Sequence, residues 1–174
     1  GICCAEVGEA EVMVEAGIQD VMIPNQVIGK RKIARLVALA RSSRIIVAVE
    51  NSGNVSELSE IATAVGAELG VIIEINVGMD RCGVDGDGAV ELAKQVETAS
   101  GLRFDGVMGY EGHTVNVRDY ETRKINAENA MAILNGAAAQ IRDAGIDVKL
   151  VSAAGTGTYN ITGRVEGVTE LQCG

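Results

Sequence analysis

Apolar residues recur along this chain in two alternating rhythms. Short aliphatic runs bounded by glycine or polar residues give way to longer stretches whose apolar positions fall three and four residues apart. The runs predict strands over Gly1 to Ala5, Asp20 to Pro24, Ser43 to Glu50, Gly70 to Gly78, Leu102 to Gly109, Asp147 to Ala154 and Gly167 to Cys173. The stretches predict helices over Glu6 to Ala16, Lys30 to Arg41, Asn54 to Val65, Gly88 to Ala99 and Asp119 to Ala144, with Val55, Leu58, Ile61, Ala62 and Val65 showing the helical spacing. Ser52 or Asn54 is placed to cap the third of these helices. Gly66, Gly101 and Gly145 stand where a helix ends on a left-handed residue. Pro24 falls directly after a strand, where a missing backbone donor costs little.

Runs such as Arg44-Ile45-Ile46-Val47-Ala48-Val49 and Val71-Ile72-Ile73-Glu74-Ile75 are nearly continuous in apolar residues, as parallel strands covered by helices are. Strand-helix units repeating every ~25 residues suit either a (β/α)8 barrel or an open doubly wound sheet. Polar and glycine residues follow nearly every strand, at Asn25, Glu50-Asn51, Asp80-Arg81, Glu111-Gly112-His113 and Gly155 to Thr158. A barrel gathers all of those ends around one site, so the expected fold is an α/β TIM barrel. Seven strands do not close eight. Residues 1–174 are therefore expected to form an incomplete barrel domain, part of a longer protein. Its open edges, along Gly1 to Ala5 and Gly167 to Cys173, are expected to favour association when the chain is expressed alone. The segment from Tyr159 to Gly167 is too short for a full crossover helix and predicts a single turn, its amides aimed at an anion.

Composition narrows the partners. A formal charge of -9 without a basic stripe argues against nucleic acid and anionic membranes. No apolar run approaches the ~18 residues of a membrane helix, and no signal-peptide layout opens the chain, so a cytoplasmic location is expected. The four cysteines, at positions 3, 4, 82 and 173, form no metal-binding spacing and read as small buried hydrophobes in a reducing compartment.

The chemistry concentrates after the run Val148-Lys149-Leu150-Val151, which feeds Ser152-Ala153-Ala154 and the loop Gly155-Thr156-Gly157-Thr158-Tyr159. Such a loop offers backbone N–H groups and hydroxyls to a phosphate above the strand's carboxyl end. His113 is the only histidine and sits in a glycine-flanked loop after a strand.

Six ordered motifs carry a family resemblance: Gly1-Ile2-Cys3-Cys4, Glu9-Ala10-Glu11, Arg81-Cys82-Gly83-Val84, Gly109-Tyr110-Glu111-Gly112-His113, Gly155-Thr156-Gly157-Thr158-Tyr159 and Glu170-Leu171-Gln172-Cys173-Gly174. Together they resemble the D-threonine aldolase and D-serine dehydratase family, pyridoxal-phosphate enzymes on the alanine racemase type of barrel. The resemblance implies that Gly155, Thr156, Gly157, Thr158, Tyr159 and Gly174 contact the cofactor, with the loop as its phosphate cradle. It places Arg81 on the phenolic-oxygen side of the cofactor ring and Tyr110 beside that ring. His113 becomes a base, or a contact for the substrate hydroxyl, above the cofactor. Glu50 and Asn51 could support the site or simply cap a helix. The family's Schiff-base lysine belongs to the first barrel strand, which the resemblance places upstream of Gly1 and so missing here, and none of Lys30, Lys32, Lys94, Lys124 or Lys149 stands at a strand end facing the pocket. Its divalent metal (manganese, magnesium or zinc) is held by a C-terminal β-domain beyond Gly174, so no metal ligand is assigned in this chain.

The implied reaction is cleavage of D-3-hydroxy amino acids to glycine and an aldehyde, by a full-length monomer or homodimer, with the 174 residues inactive alone. D-Serine dehydration or amino-acid racemisation on the same barrel stays open. So does a non-catalytic pyridoxal-phosphate homeostasis protein, although such proteins lack the Glu170 to Gly174 ending.

Overall fold

Strands form at the aliphatic runs: β1 (Ile2–Cys3), β2 (Asp20–Gln26), β3 (Arg44–Val49), β4 (Leu69–Glu74), β5 (Leu102–Gly109), β6 (Leu150–Ala153) and β7 (Glu170–Leu171). The computed structural model describes residues 1–174. The helices are α1 (Val7–Glu15), α2 (Lys30–Leu39), α3 (Ser52–Val65), α4 (Gly86–Thr98), α5 (Tyr120–Asp143) and the single turn α6 (Tyr159–Thr162). Hydrogen bonding joins the strands in unbroken chain order, β1 to β7, and the β1–β2, β2–β3, β5–β6 and β6–β7 pairings are parallel. A doubly wound sheet reverses its strand order at a switch point, and this sheet does not. The topology is that of a (β/α)8 barrel, of which seven strands are present.

Contacts divide the chain into two compact units, Gly1–Ile72 with Leu92–Asp105 and Ile73–Glu91 with Gly106–Gly174. In the first unit, β3 is buried along every residue after Arg44, and Ile23, Ile33, Leu36, Ile45, Ile46, Leu58, Leu69 and Ile72 are its largest fully buried side chains. Pro24 lies within β2 rather than after it. The register with β3 shifts between Ile23 and Gln26, and such an irregularity is where a strand tolerates proline. Charged residues collect at the strand starts: the Arg103 guanidinium donates to both oxygens of buried Asp105, at 2.9 and 2.7 Å, and to Glu68 at 2.6 Å. These partners push the Arg103 pKa upward, the Asp105 bond first among them. Gly70 makes room for this cluster, since a Cβ there would stand 2.4 Å from Asp105 Oδ2.

Helix ends follow local chemistry, with one correction. Asn51, not Ser52 or Asn54, caps α3 by accepting from the Asn54 amide at 2.9 Å. Asn54 is buried and its side chain donates to the Val27 carbonyl at 3.0 Å, so it serves the loop after β2. Gly66, Gly101 and Gly145 all adopt positive φ, at 67, 74 and 85°. The cysteine expectation is corrected too: Cys4 alone is buried, Cys82 is half-buried, and Cys3 and Cys173 are exposed, Cys3 on β1 and Cys173 just past β7, the two end strands of the sheet, each paired on one side only. Burial pushes the Cys4 thiol pKa up.

In the second unit, β5 and β6 pair from Gly106↔Leu150 to Gly109↔Ala153, and α5 packs Ala127, Ala130, Met131, Leu134, Ala137, Ala138 and Ile141 inward. Asp119 caps α5, accepting from the Thr122 hydroxyl at 2.7 Å and the Thr122 amide at 2.8 Å. Those two bonds, the hydroxyl's first, hold its carboxyl below the usual carboxylate range. A depressed native pKa means that this stabilisation is complete above the unfolded value of about 4 and is lost as pH falls through the folded one. Thermal melts across that acidic window should therefore show a flatter pH dependence for Asp119→Asn than for the parent; parallel curves would remove Asp119 as a source of acid sensitivity. No helix is long and apolar enough to cross a membrane.

Candidate active site

The second unit brings three strand ends together. After β4, the chain folds back on itself: the Asn76 amide donates to Val84 O at 2.9 Å, the Val84 amide to Glu74 O at 3.0 Å, and Ile75 and Val84 form a bridge. The Asn76 side-chain oxygen accepts from the amides of Gly78 and Asp80, while its amide group donates to Asp80 Oδ1. Asp80 takes φ of 55°, a conformation aspartate tolerates when its side chain is so tied. Gly83 is obligatory, because a Cβ there would meet the Asn76 amide nitrogen at 2.6 Å. This folded loop carries Arg81.

Arg81 lies over the Tyr110 ring, its Cζ 5.5 Å from the ring centroid, with Nη2 3.8 Å from Glu74 Oε1. Stacking on the ring face leaves the guanidinium edges free for an anion or an oxygen ligand. Tyr110, one residue past β5, is half-buried and closely bounded: a Cβ on Gly112 would come within 2.4 Å of its ring and one on Gly155 within 2.9 Å. Only glycine backbone passes this near. The phenol is thereby placed beside the loop after β6.

That loop is internally bonded. Gly155 O accepts from the amides of Thr158 and Tyr159, at 3.1 and 3.0 Å, and the buried Thr158 hydroxyl accepts from the Gly155 amide at 3.2 Å. The amides of Thr156 and Gly157 have no protein acceptor. Gly157 is held against Val115, where a Cβ would fall 2.8 Å from the Val115 carbonyl. The Thr156 hydroxyl exchanges hydrogen bonds with Gly174, accepting from its amide at 3.2 Å.

Arg81, Tyr110, Gly155, Thr156, Gly157 and Gly174 are thus linked through these contacts. Thr158 belongs to the loop but spends its hydroxyl inside it. Tyr159 opens α6 with its side chain about half exposed, at 51%. His113 is exposed and covers Gly78, whose ideal Cβ would lie 3.5 Å from the imidazole. Lys30, Lys32, Lys94 and Lys124 lie on helices and Lys149 precedes β6, so no lysine stands at the carboxyl end of a strand.

Sequence reasoning missed two buried acids. Glu74, 4% exposed, faces Arg81, and its signal was a lone acid in an otherwise aliphatic run. Glu111 is fully buried, and nothing local distinguished it from a surface loop residue.

Residues 1–174 match the family described as alanine racemase, N-terminal domain. The chain belongs to that family. It is 39% identical to a D-threonine aldolase from Arthrobacter sp and 36% identical to a 3-hydroxy-D-aspartate aldolase from Paracoccus denitrificans (strain Pd 1222), in each case over 100% of this chain and 46% of the relative. The crystal structure of D-threonine aldolase from Filomicrobium marinum superposes with a TM-score of 0.98 at 43% identity, covering 100% of this chain and 47% of that one. The chain thus spans about half the length of the relatives it matches. Its fold is the alanine racemase N-terminal barrel, seven strands of which are in hand.

Proposed function

We propose that residues 1–174 form one cofactor-binding barrel domain of a pyridoxal-phosphate-dependent lyase that cleaves D-3-hydroxy amino acids to glycine and an aldehyde. The observation that carries this reading is the pair of unpartnered amides at Thr156 and Gly157, set beside a Tyr110 ring that Arg81 covers. The division into two units falls inside β4, α4 and β5 rather than in a linker, which supports treating the chain as one domain.

The residues fit the group. Loop amides without acceptors suit a phosphate, and a Cβ at Gly157 would be crowded by Val115, so the turn is built around glycine. When bound, pyridoxal phosphate supplies an electron sink for bond cleavage at the substrate's Cα. Thr156 and Gly157 would hold its phosphate, with Gly174 steadying the Thr156 hydroxyl. Tyr110 would lie beside the cofactor's ring, and Arg81 would bind its phenolic oxygen. His113 would accept the proton of the substrate's 3-hydroxyl, whose oxygen becomes the aldehyde carbonyl as the Cα–Cβ bond breaks, and the electron pair left at Cα would take up a proton to give glycine. The Schiff-base lysine and the divalent metal (manganese, magnesium or zinc) come from outside these residues. The 174 residues alone are accordingly expected to show no turnover.

The test is expression of the full reading frame and of residues 1–174, each assayed with D-threonine with and without manganese. The full product should carry a visible absorption band that borohydride abolishes and should release glycine. Release of ammonia and a keto acid instead would reassign it as a dehydratase. Turnover by residues 1–174 alone would refute the division of labour, and absence of any cofactor band would overturn the reading.

A further inference from the structure

Glu111 has a task that the reaction itself does not require. It stands two residues past β5 with its side chain fully buried, and no cation lies within ion-pair distance of it. Its Oε1 accepts from the Thr162 hydroxyl at 2.6 Å and its Oε2 from the Ala154 amide at 3.2 Å. Its backbone carbonyl accepts from both the amide and the hydroxyl of Thr114, at 2.9 Å each. The residue is clamped at both ends. Thr162 closes α6 and is itself fully buried, whereas Ala154, the residue after β6, takes φ of 72°, which alanine rarely adopts. One carboxylate therefore ties together the residues immediately before and four beyond the Gly155 to Thr158 loop.

We propose that Glu111 is the positioning residue for the phosphate cradle: by binding Ala154 N–H and Thr162 Oγ1 together, it holds Ala154 left-handed and so keeps the Thr156 and Gly157 amides without protein acceptors. This rests on the reading of the loop as a phosphate site. The chemistry selects the residue type. Two donors on separate elements need one side chain with two acceptor positions, and an apolar replacement leaves a buried N–H and hydroxyl unsatisfied. Glutamine satisfies the same geometry, because its carbonyl accepts from Ala154 while its NH2 donates to the Thr162 hydroxyl. Glu111 touches no reacting atom, so its effect must be confined to the phosphate end of the cofactor.

The experiment compares equilibrium dialysis of pyridoxal phosphate and of pyridoxal, which lacks the phosphate, against the protein from its full reading frame. For Glu111→Ala, Kd for pyridoxal phosphate should rise about tenfold or more, the weight of one lost buried hydrogen bond, while Kd for pyridoxal stays unchanged. Glu111→Gln should restore the parent value to within about threefold, a difference below 1 kcal/mol. A folded Glu111→Ala protein that loses both ligands equally, or neither, would overturn the proposal. Should that variant fail to fold, Thr162→Val removes one of the two bonds and must still weaken pyridoxal phosphate selectively; no change would overturn it as well. A parent protein that binds both ligands equally would refute the phosphate reading itself, whereas a parent that prefers the phosphate, with unaffected variants, refutes only the role of Glu111.

Discussion

Gly106→Ala is expected to destabilise the fold severely. Gly106 sits in β5 opposite Leu150 of β6, and a Cβ there would lie 2.0 Å from the Leu150 carbonyl oxygen and 2.8 Å from that residue's carbonyl carbon and amide nitrogen. Every one of these is backbone, so no side chain can swing aside. Relief requires the two strands to part at the first of their four paired positions. Overpacking against backbone costs about 3 kcal/mol or more, a large share of the roughly 5–15 kcal/mol that stabilises an ordinary domain. The same ladder sets Tyr110 beside Gly155, so partial folding would also dismantle the site. Soluble yield and circular-dichroism melts report the outcome. A melting temperature within about 2 °C of the parent, equivalent to at most about 1 kcal/mol, would show that the strands yield more easily than their contacts indicate.

Arg81→Leu should have the largest effect on function without disturbing the fold. Its loop is organised by Asn76, Asp80 and Val84, none of which needs the guanidinium. The side chain is 47% exposed, and its partners are the Tyr110 face and, at 3.8 Å, the Glu74 carboxylate. Loss of a charge-assisted bond to the cofactor ring should raise Kd for pyridoxal phosphate about 10- to 100-fold in the full-length protein, with the melting temperature little changed. Lysine should recover only part of this, since a point charge cannot both stack on Tyr110 and donate from a planar fork. Unchanged affinity in the leucine variant would remove Arg81 from the cofactor site and leave it as a surface partner of Glu74. Unlike Glu111→Ala, Arg81→Leu should weaken pyridoxal as well as pyridoxal phosphate, which separates the ring contact from the phosphate contact.

The order of the elements was legible because helix and strand periods are local properties. Val55, Leu58 and Ala62 declare the buried face of α3, and the β3 run declares a strand covered on both sides. The one-turn helix α6 could be read from the shortness of its segment, and the three glycine helix ends from the absence of a Cβ. Cap identity was less legible: Asn51, Ser52 and Asn54 are all cap formers, and only the path of the chain out of β3 decides which oxygen meets a free amide. The cysteines were misjudged for a related reason. An apolar run signals burial, but Cys3 on β1 and Cys173 just past β7 lie at the two end strands of the sheet, each paired on one side only, and stay at the surface.

By itself the sequence determined which residues reach strand ends, Arg81, Tyr110 and the Gly155 to Thr158 loop among them, because strand boundaries follow from where the aliphatic runs stop and glycine or polar residues begin. Tertiary structure alone decided what those residues face. Glu111 lies 43 residues from Ala154 and 51 from Thr162, so nothing in its neighbourhood along the chain announces either bond. Thr158, which the family resemblance places among the cofactor contacts, is buried and accepts from the Gly155 amide instead. Burial and long-range hydrogen bonding are properties of packing, and they emerge only when distant strands lie side by side.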